Sequence, residues 1–202
     1  MTIANRPDMN IYTIGHSNHP IERFLDLLQV HGITAIADVR STPYSRRNPQ
    51  FNSARLADTL KARDIAYVPL GKELGARSED PACYQDGRVQ YRHLAATALF
   101  NQGIARVFTG AARYRVALMC AEKEPLNCHR TLLVSRALES RGADIVHILA
   151  DASWEPNSDT MQRLVAQTGL AKSDLFADRR QLIDQACALH EQKIAFQLPS
   201  GR

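Results

Sequence analysis

The stretch Arg115-Val-Ala-Leu-Met-Cys120-Ala-Glu122-Lys-Glu-Pro125-Leu-Asn127-Cys128-His129-Arg130-Thr-Leu-Leu-Val-Ser135 decides the fold. Val116 to Cys120 is a short uninterrupted apolar run, as expected of a strand buried on both faces. The chain then turns polar through Glu122, Lys123, Glu124 and Pro125. From Asn127 the apolar spacing becomes helical, with Leu132, Leu133, Ala137 and Leu138 on one side. Asn127 is a suitable N-cap, which would put Cys128, His129 and Arg130 in the first helical turn. A strand end would thus carry Cys120 and Glu122, and a helix start a thiol, an imidazole and a guanidinium. In an open α/β sheet such a turn lies where ligands bind, outside the carboxyl ends of the strands.

The same alternation extends in both directions. Ile11 to Ile14 reads as a strand stopped at Gly15-His16-Ser17-Asn18, and a helix follows from Pro20 to a C′ glycine at Gly32. Ile33 to Val39 and Ile65 to Leu70 read as strands, with a helix capped by Asn52 or Ser53 between them. Lys72 to Val89 has no period, and so long a loop in a compact domain suits a lid or another functional segment. Tyr91 to Asn101 and Ile104 to Tyr114 read as helices split at Gly103. Asp144 to Leu149 is a fifth strand, with Asp151 to Pro156 as its exit loop and a helix over Asp159 to Thr168. The expectation is a single doubly wound, mostly parallel sheet of about five strands flanked by helices. Residues 1–10 read as a disordered lead and 11–170 as the α/β domain. Residues 171–202 read as a helical extension, Leu175 to Ile194, packed on the domain or at a homodimer contact.

The chain's 202 residues suffice for one α/β core and are few for two. No apolar run approaches the roughly 18 residues of a membrane span. Four cysteines (Cys83, Cys120, Cys128, Cys187), with no secretory leader before them, suggest a reduced, cytoplasmic setting. With 25 Lys and Arg against 21 Asp and Glu, the formal charge is +4. That total does not mark a nucleic-acid binder, so the local placement of arginines matters more.

Polar clusters follow the strands at Gly15-His16-Ser17, Asp38-Val39-Arg40-Ser41, Cys120-Ala121-Glu122 and Asp151, and in a parallel sheet they would share one edge. His16 is a candidate base, or a turn histidine bonded to backbone. Asp38 is a candidate acid or base, or half of an ion pair with Arg40 or Arg46. Arg40, Ser41, Arg46, Arg47, Tyr44 and Ser45 suit an oxyanion, because guanidinium forks bind such groups bidentately; the alternative is a solvated basic loop. Cys128 is the sharpest position. A thiol at a helix start beside His129 and Arg130 should ionise readily, and thiolate is the nucleophilic and metal-binding form. Cys120 is a second thiol or ligand, or simply core. Glu122 and Glu124, with Glu73 as an outlier, offer carboxylates for proton transfer or a solvent-exposed acidic turn. Zinc at Cys120, Cys128 and His129 together with His16 is conceivable, but the seven-residue gap between the cysteines is not knuckle spacing, so no metal is expected. No nucleotide-cofactor fingerprint is present.

Thr13-Ile14-Gly15-His16-Ser17, then Asp38-Val39-Arg40-Ser41 with Pro43, Ser45 and Arg46, then Cys120-Ala121-Glu122 with Cys128-His129-Arg130, together resemble the DUF488 family. The resemblance runs in order from about Tyr12 to Ala150. It implies a compact α/β domain with these residues at the sheet edge, and it implies no reaction. Three readings follow. The first is an enzyme of hydrolase or transferase type on a phosphate-bearing substrate, a nucleotide or nucleic acid. In it Cys128, Glu122, Asp38 and His16 carry the chemistry, and Arg40, Ser41, Arg46, His129 and Arg130 hold the anion. The second is a binding module without turnover, stacking bases on Tyr44, Tyr67, Tyr84 and Tyr91. The third is a thiol redox or metal protein built on Cys120 and Cys128.

Overall fold

Residues 9–170 and 178–199 are described by the structure, a computed structural model. The first half alternates strand and helix: β1 (Asn10–Gly15), α1 (Ile21–Val30), β2 (Ala35–Asp38), α2 (Ser53–Lys61) and β3 (Ala66–Pro69). The segment expected to be one aperiodic loop contains a short helix, α3 (Gly71–Leu74), and a small hairpin of β4 (Tyr84–Gln85) and β5 (Arg88–Val89). Next come α4 (Tyr91–Ala96), α5 (Ala98–Ala111) and the central strand β6 (Val116–Cys120). A π-helical turn, Arg130–Ser135, runs into α6 (Arg136–Glu139), and β7 (Asp144–Ile148), β8 (Trp154–Pro156), α7 (Asn157–Thr168) and α8 (Arg179–Ile194) complete the order.

The sheet has six strands in the order β3-β2-β6-β1-β7-β8. Five run parallel and β8 lies antiparallel to β7, so part of the expected exit loop is a sixth, edge strand. Because successive strand residues face opposite sides, the sheet divides its apolar residues between two cores. On one side Tyr12, Ile14, Ala117 and Met119 meet α1 and α2 through Phe24, Leu28, Leu56 and Leu60. On the other, Ile11, Leu118 and Cys120 meet Phe100 and Ile104 of α5 and Leu132 to Leu138 of the 130s helix. Each large side chain so buried contributes roughly 1.5–3 kcal/mol.

Right-handed crossovers explain this division. The chain leaves β1 towards β2 and β3 over one face, and leaves β6 towards β7, in the opposite direction, over the other. Neighbouring strands β1 and β6 therefore send their connections to opposite faces of the sheet, and doubly wound sheets bind ligands beyond the strand ends at such a switch point.

One helix boundary differs from expectation. Gly103 does not split a helix; α5 continues through it, and the break falls at Thr97, whose hydroxyl accepts from the Phe100 N–H. Gly103 is instead a contact point, since a Cβ there would lie 2.7 Å from Glu73 Cβ. The lead falls outside the described residues up to 8, and Asn10 already belongs to β1. The tail helix was expected from Leu175, but 171–177 lie outside the described residues and α8 is seen from Arg179. It packs on α7, with Cys187 Sγ 3.8 Å from Met161 Sδ, and its Asp184 pairs with Arg136. The chain then returns: the Val89 N–H donates to Phe196 O and the Leu198 N–H to Gly87 O, seating the tail against the hairpin. Among the described residues no helix is long and apolar enough to cross a membrane.

Candidate functional site

Register brings the site together. Gly15 lies opposite Cys120, and Asp38 opposite Met119, so β1, β6 and β2 end at one level. The pairing of β1 and β6 continues past their ends, with the His16 N–H donating to Cys120 O and the Ser17 N–H to Ala121 O. Gly15 is required there: a Cβ on it would lie 1.9 Å from the Glu122 carbonyl oxygen. Only a glycine lets the turn after β6 cross so close to β1.

That turn differs from expectation at one residue. Asn127 closes a 3-10 turn, Pro125–Asn127, while Cys128 is extended (φ −136°, ψ 139°) and its carbonyl accepts the first helical bonds from Thr131 and Leu132. Cys128, not Asn127, therefore occupies the N-cap. Its sulfur accepts from the Arg130 N–H at 3.4 Å, as an oxygen does in an ordinary cap. Cys120 faces the side of the sheet that this helix covers, so the two thiols meet across the turn.

Four reactive side chains converge. The sulfurs of Cys120 and Cys128 and Nδ1 of His129 lie within 4.8 Å of one another, with Nδ1 at 3.7 Å from Cys120 Sγ and 3.9 Å from Cys128 Sγ. Glu122 Oε2 is 3.0 Å from Cys128 Sγ, a separation that calls for a proton between sulfur and carboxylate. His129 Nε2 donates to the Val39 carbonyl at 3.0 Å, which fixes the ring with Nδ1 towards the sulfurs. The electrostatics separate the two thiols. Burial alone would raise the Cys128 pKa, but the Cys120 S–H, Arg130 and His129 outweigh it and hold the thiol well below its ordinary value. Hydrogen bonding to Cys128, then burial, push Cys120 well up. His129 is lifted, since Cys128 and Glu122 outweigh its burial, and Glu122 is raised by burial and the adjacent Cys128.

The other expected residues are placed differently. Arg40 is only 6% exposed. Its Nε and Nη2 grip the Asp38 carboxylate at 2.9 and 2.6 Å, and Nη2 also donates to Phe51 O. Its Nη1 donates to His16 Nε2 at 3.1 Å. Tyr67 O–H adds a bond to Asp38 Oδ2. Asp38 is thus the buried counter-ion of Arg40. His16 is stacked on Phe51, its Nδ1 bonded to Ser17 O, and burial together with Arg40 lowers its pKa to about 4. It is neutral at neutral pH, with Nε2 already engaged. Arg130 is wholly buried, donating to the carbonyls of Glu122 and Lys123 and to Thr13 Oγ1. It ties down the turn. Thr13 Oγ1 in turn bonds His147 Nδ1, and His147 Nε2 bonds Asn157 Oδ1. Arg46 is exposed on its loop, and Asp151 binds Ser153 beyond the cluster.

Cys120, Glu122 and His129 line a pocket of about 240 Å³, walled also by Arg40, Ser41, Arg77, Tyr91, Ile194 and Phe196. Cys128 sits just behind this wall at 1% exposure. Arg77, Ile194 and Phe196 were not among the expected site residues. Ser41 Oγ accepts from the Arg77 N–H, and the Arg77 guanidinium lies 4.5 Å from the Phe196 ring centroid. Apolar Ala195-Phe196 beyond the end of α8, in an otherwise polar terminus, was the one clue. The tyrosines do not form a stacking platform: Tyr91 is buried, Tyr67 and Tyr84 are bonded to Asp38 and Ser78, and only Tyr44 is well exposed.

No curated protein and no solved structure matches the chain. A family model described as "Domain of unknown function DUF488" matches residues 20–137. That span holds the Asp38–Ser41 and Cys120–Arg130 segments of the site but begins after His16 and ends before the tail that supplies Phe196. With more than half of its length matched, the chain belongs to the DUF488 family.

Proposed function

We propose that this chain is an enzyme of hydrolase or transferase type, working at the Cys120, Cys128, His129 and Glu122 cluster on a small phosphate-bearing group such as a nucleotide or a nucleic-acid end. The observation that carries the reading is the convergence of two thiols, an imidazole and a carboxylate under one pocket at the carboxyl edge of the sheet. Groups whose pKa values are driven apart, as those of Cys120 and Cys128 are, mark sites of proton or nucleophile chemistry more than sites of packing. Cys128 supplies thiolate, stabilised by its cap position and by Arg130 behind it. Glu122 exchanges a proton with it. The remaining Nη1 edge of Arg40, with Ser41 and Arg77, receives the anion, and Asp38 and His16 hold Arg40 in place. The pocket volume of about 240 Å³ suits one small group at a time.

The test is alkylation of the EDTA-treated chain across pH, with the modified cysteine identified by peptide mass. It is repeated with inorganic phosphate, a nucleoside monophosphate and a 5′-phosphorylated oligonucleotide present. A thiolate titrating below the free value of about 8.5, shielded by phosphate-bearing compounds, is expected. Ordinary titration without shielding refutes the reading.

A further inference from the structure

We propose that Cys120, Cys128 and His129 are the protein ligands of a thiophilic divalent cation, Zn²⁺, whose open position faces the pocket and Glu122. The proposal rests on the reading of this cluster as the reacting centre and says what its thiols do: they ligate. Spacing in the sequence argued against a metal because the ligands come from a strand end and a helix cap, nine residues apart at most. Folding removes that objection.

Three independent observations support the assignment. In a tetrahedral site with Zn–S of about 2.3 Å and Zn–N of about 2.0–2.1 Å, sulfur and nitrogen stand about 3.6 Å apart. The two sulfur-to-Nδ1 separations here are 3.7 and 3.9 Å, and all three atoms lie within 4.8 Å of one another, so they surround a position of about the right size for the ion. His129 is held as metal-bound histidines are, its far nitrogen donating to a backbone carbonyl, Val39 O, so that the other lone pair points at the ligand position. The donor set is two sulfurs and one imidazole with a carboxylate alongside. That is the composition of catalytic zinc sites with three protein ligands and a fourth place for water. Cys128 is buried behind the cluster while Cys120, His129 and Glu122 line the pocket, so the fourth position falls on the pocket side. Glu122, which lines the same pocket, would be the proton acceptor beside that position, and the ion would supply Lewis acidity there.

The full chain, stripped with EDTA, is titrated with Zn²⁺ against a chromophoric chelator and separately with Co²⁺. The expected result is one ion per chain, bound with sub-micromolar affinity, and a cobalt spectrum with thiolate charge-transfer bands and the strong visible bands of tetrahedral coordination. Cys120→Ser and Cys128→Ser each weaken binding about 100-fold or more, whereas Glu122→Gln retains it within about tenfold. If a cysteine variant does not fold, the cobalt spectrum of the unaltered chain still decides, because octahedral bands without thiolate charge transfer overturn the proposal. Binding no tighter than micromolar, or cysteine variants that bind as the unaltered chain does, also overturns it. The alkylation experiment is done without metal, so the two ideas fail separately. Tight zinc without phosphate shielding leaves the metal site and removes the substrate class, and a shielded low-pKa thiolate that binds no zinc does the reverse.

Discussion

Acid should destabilise this fold through His147, and the size of the effect follows from where that residue lies. His147 is wholly buried in β7. Its Nδ1 accepts from the Thr13 hydroxyl at 2.7 Å and its Nε2–H donates to Asn157 Oδ1 at 2.8 Å, while Thr13 Oγ1 accepts from Arg130 Nε. A second ring proton forces the Thr13 hydroxyl hydrogen out of this bond and adds a charge near a buried guanidinium. Burial, the dominant cause, brings the pKa from 6.5 down to about 4. A base depressed on folding takes up its proton more readily in the unfolded chain, so its stability contribution is full above the unfolded pKa and is lost as pH falls through the window from 6.5 towards 4. At 1.36 kcal/mol per unit, the loss from this residue is about 2 kcal/mol at pH ~5 and about 3 kcal/mol at pH ~4. Urea unfolding from neutral pH downwards, on the natural chain and on His147→Gln, isolates the term. The variant should be less stable at neutral pH but should show a shallower decline, by about one proton, between pH ~5 and ~6. Parallel slopes in the two proteins, or stability that rises on acidification, would refute the reasoning.

Two substitutions test the scaffold around the pocket. Asp38→Asn strips Arg40 of its counter-ion in a site where both residues are buried. It should cost about 3–5 kcal/mol in urea unfolding, and a change under about 1 kcal/mol would show that the pair does not hold this edge. Gly15→Ala forces a methyl group into the Glu122 carbonyl, which also accepts from Arg130 Nη1. The chain should lose stability by several kcal/mol, judged against the ~1–3 kcal/mol common for overpacking, and alkylation should find Cys128 more accessible; a melting curve unchanged from the natural chain would contradict the close approach.

β1, β2 and β6 were legible because each is a short, mainly apolar run buried on both faces, a pattern that needs no knowledge of neighbours. β8 was missed for the opposite reason: Trp154-Glu155-Pro156 is an exposed edge of mixed character, and it is a strand only because β7 offers it a free ladder. Local chemistry anticipated only part of the lowered Cys128 pKa, since Arg130 and His129 are its sequence neighbours but the larger contribution, the Cys120 S–H, comes from across the turn. What local chemistry did not contain was direction. Arg40 and Arg130 read as ligands for an anion, yet Arg40 spends its Nε and Nη2 on Asp38 and keeps only its Nη1 edge for the pocket, and Arg130 is closed on the turn's own carbonyls. Whether a guanidinium meets solvent or its own backbone is decided by the strand register and the turn's path, and neither is local. The same holds for the cluster. Cys120 and Cys128 were individually visible, but their meeting with His129 and Glu122 depends on which sheet face Cys120 takes and on Gly15 admitting the turn. Residues alone determined which chemistry was present; tertiary packing decided which groups face one another, because those distances are set across strands and turns that no window of sequence contains.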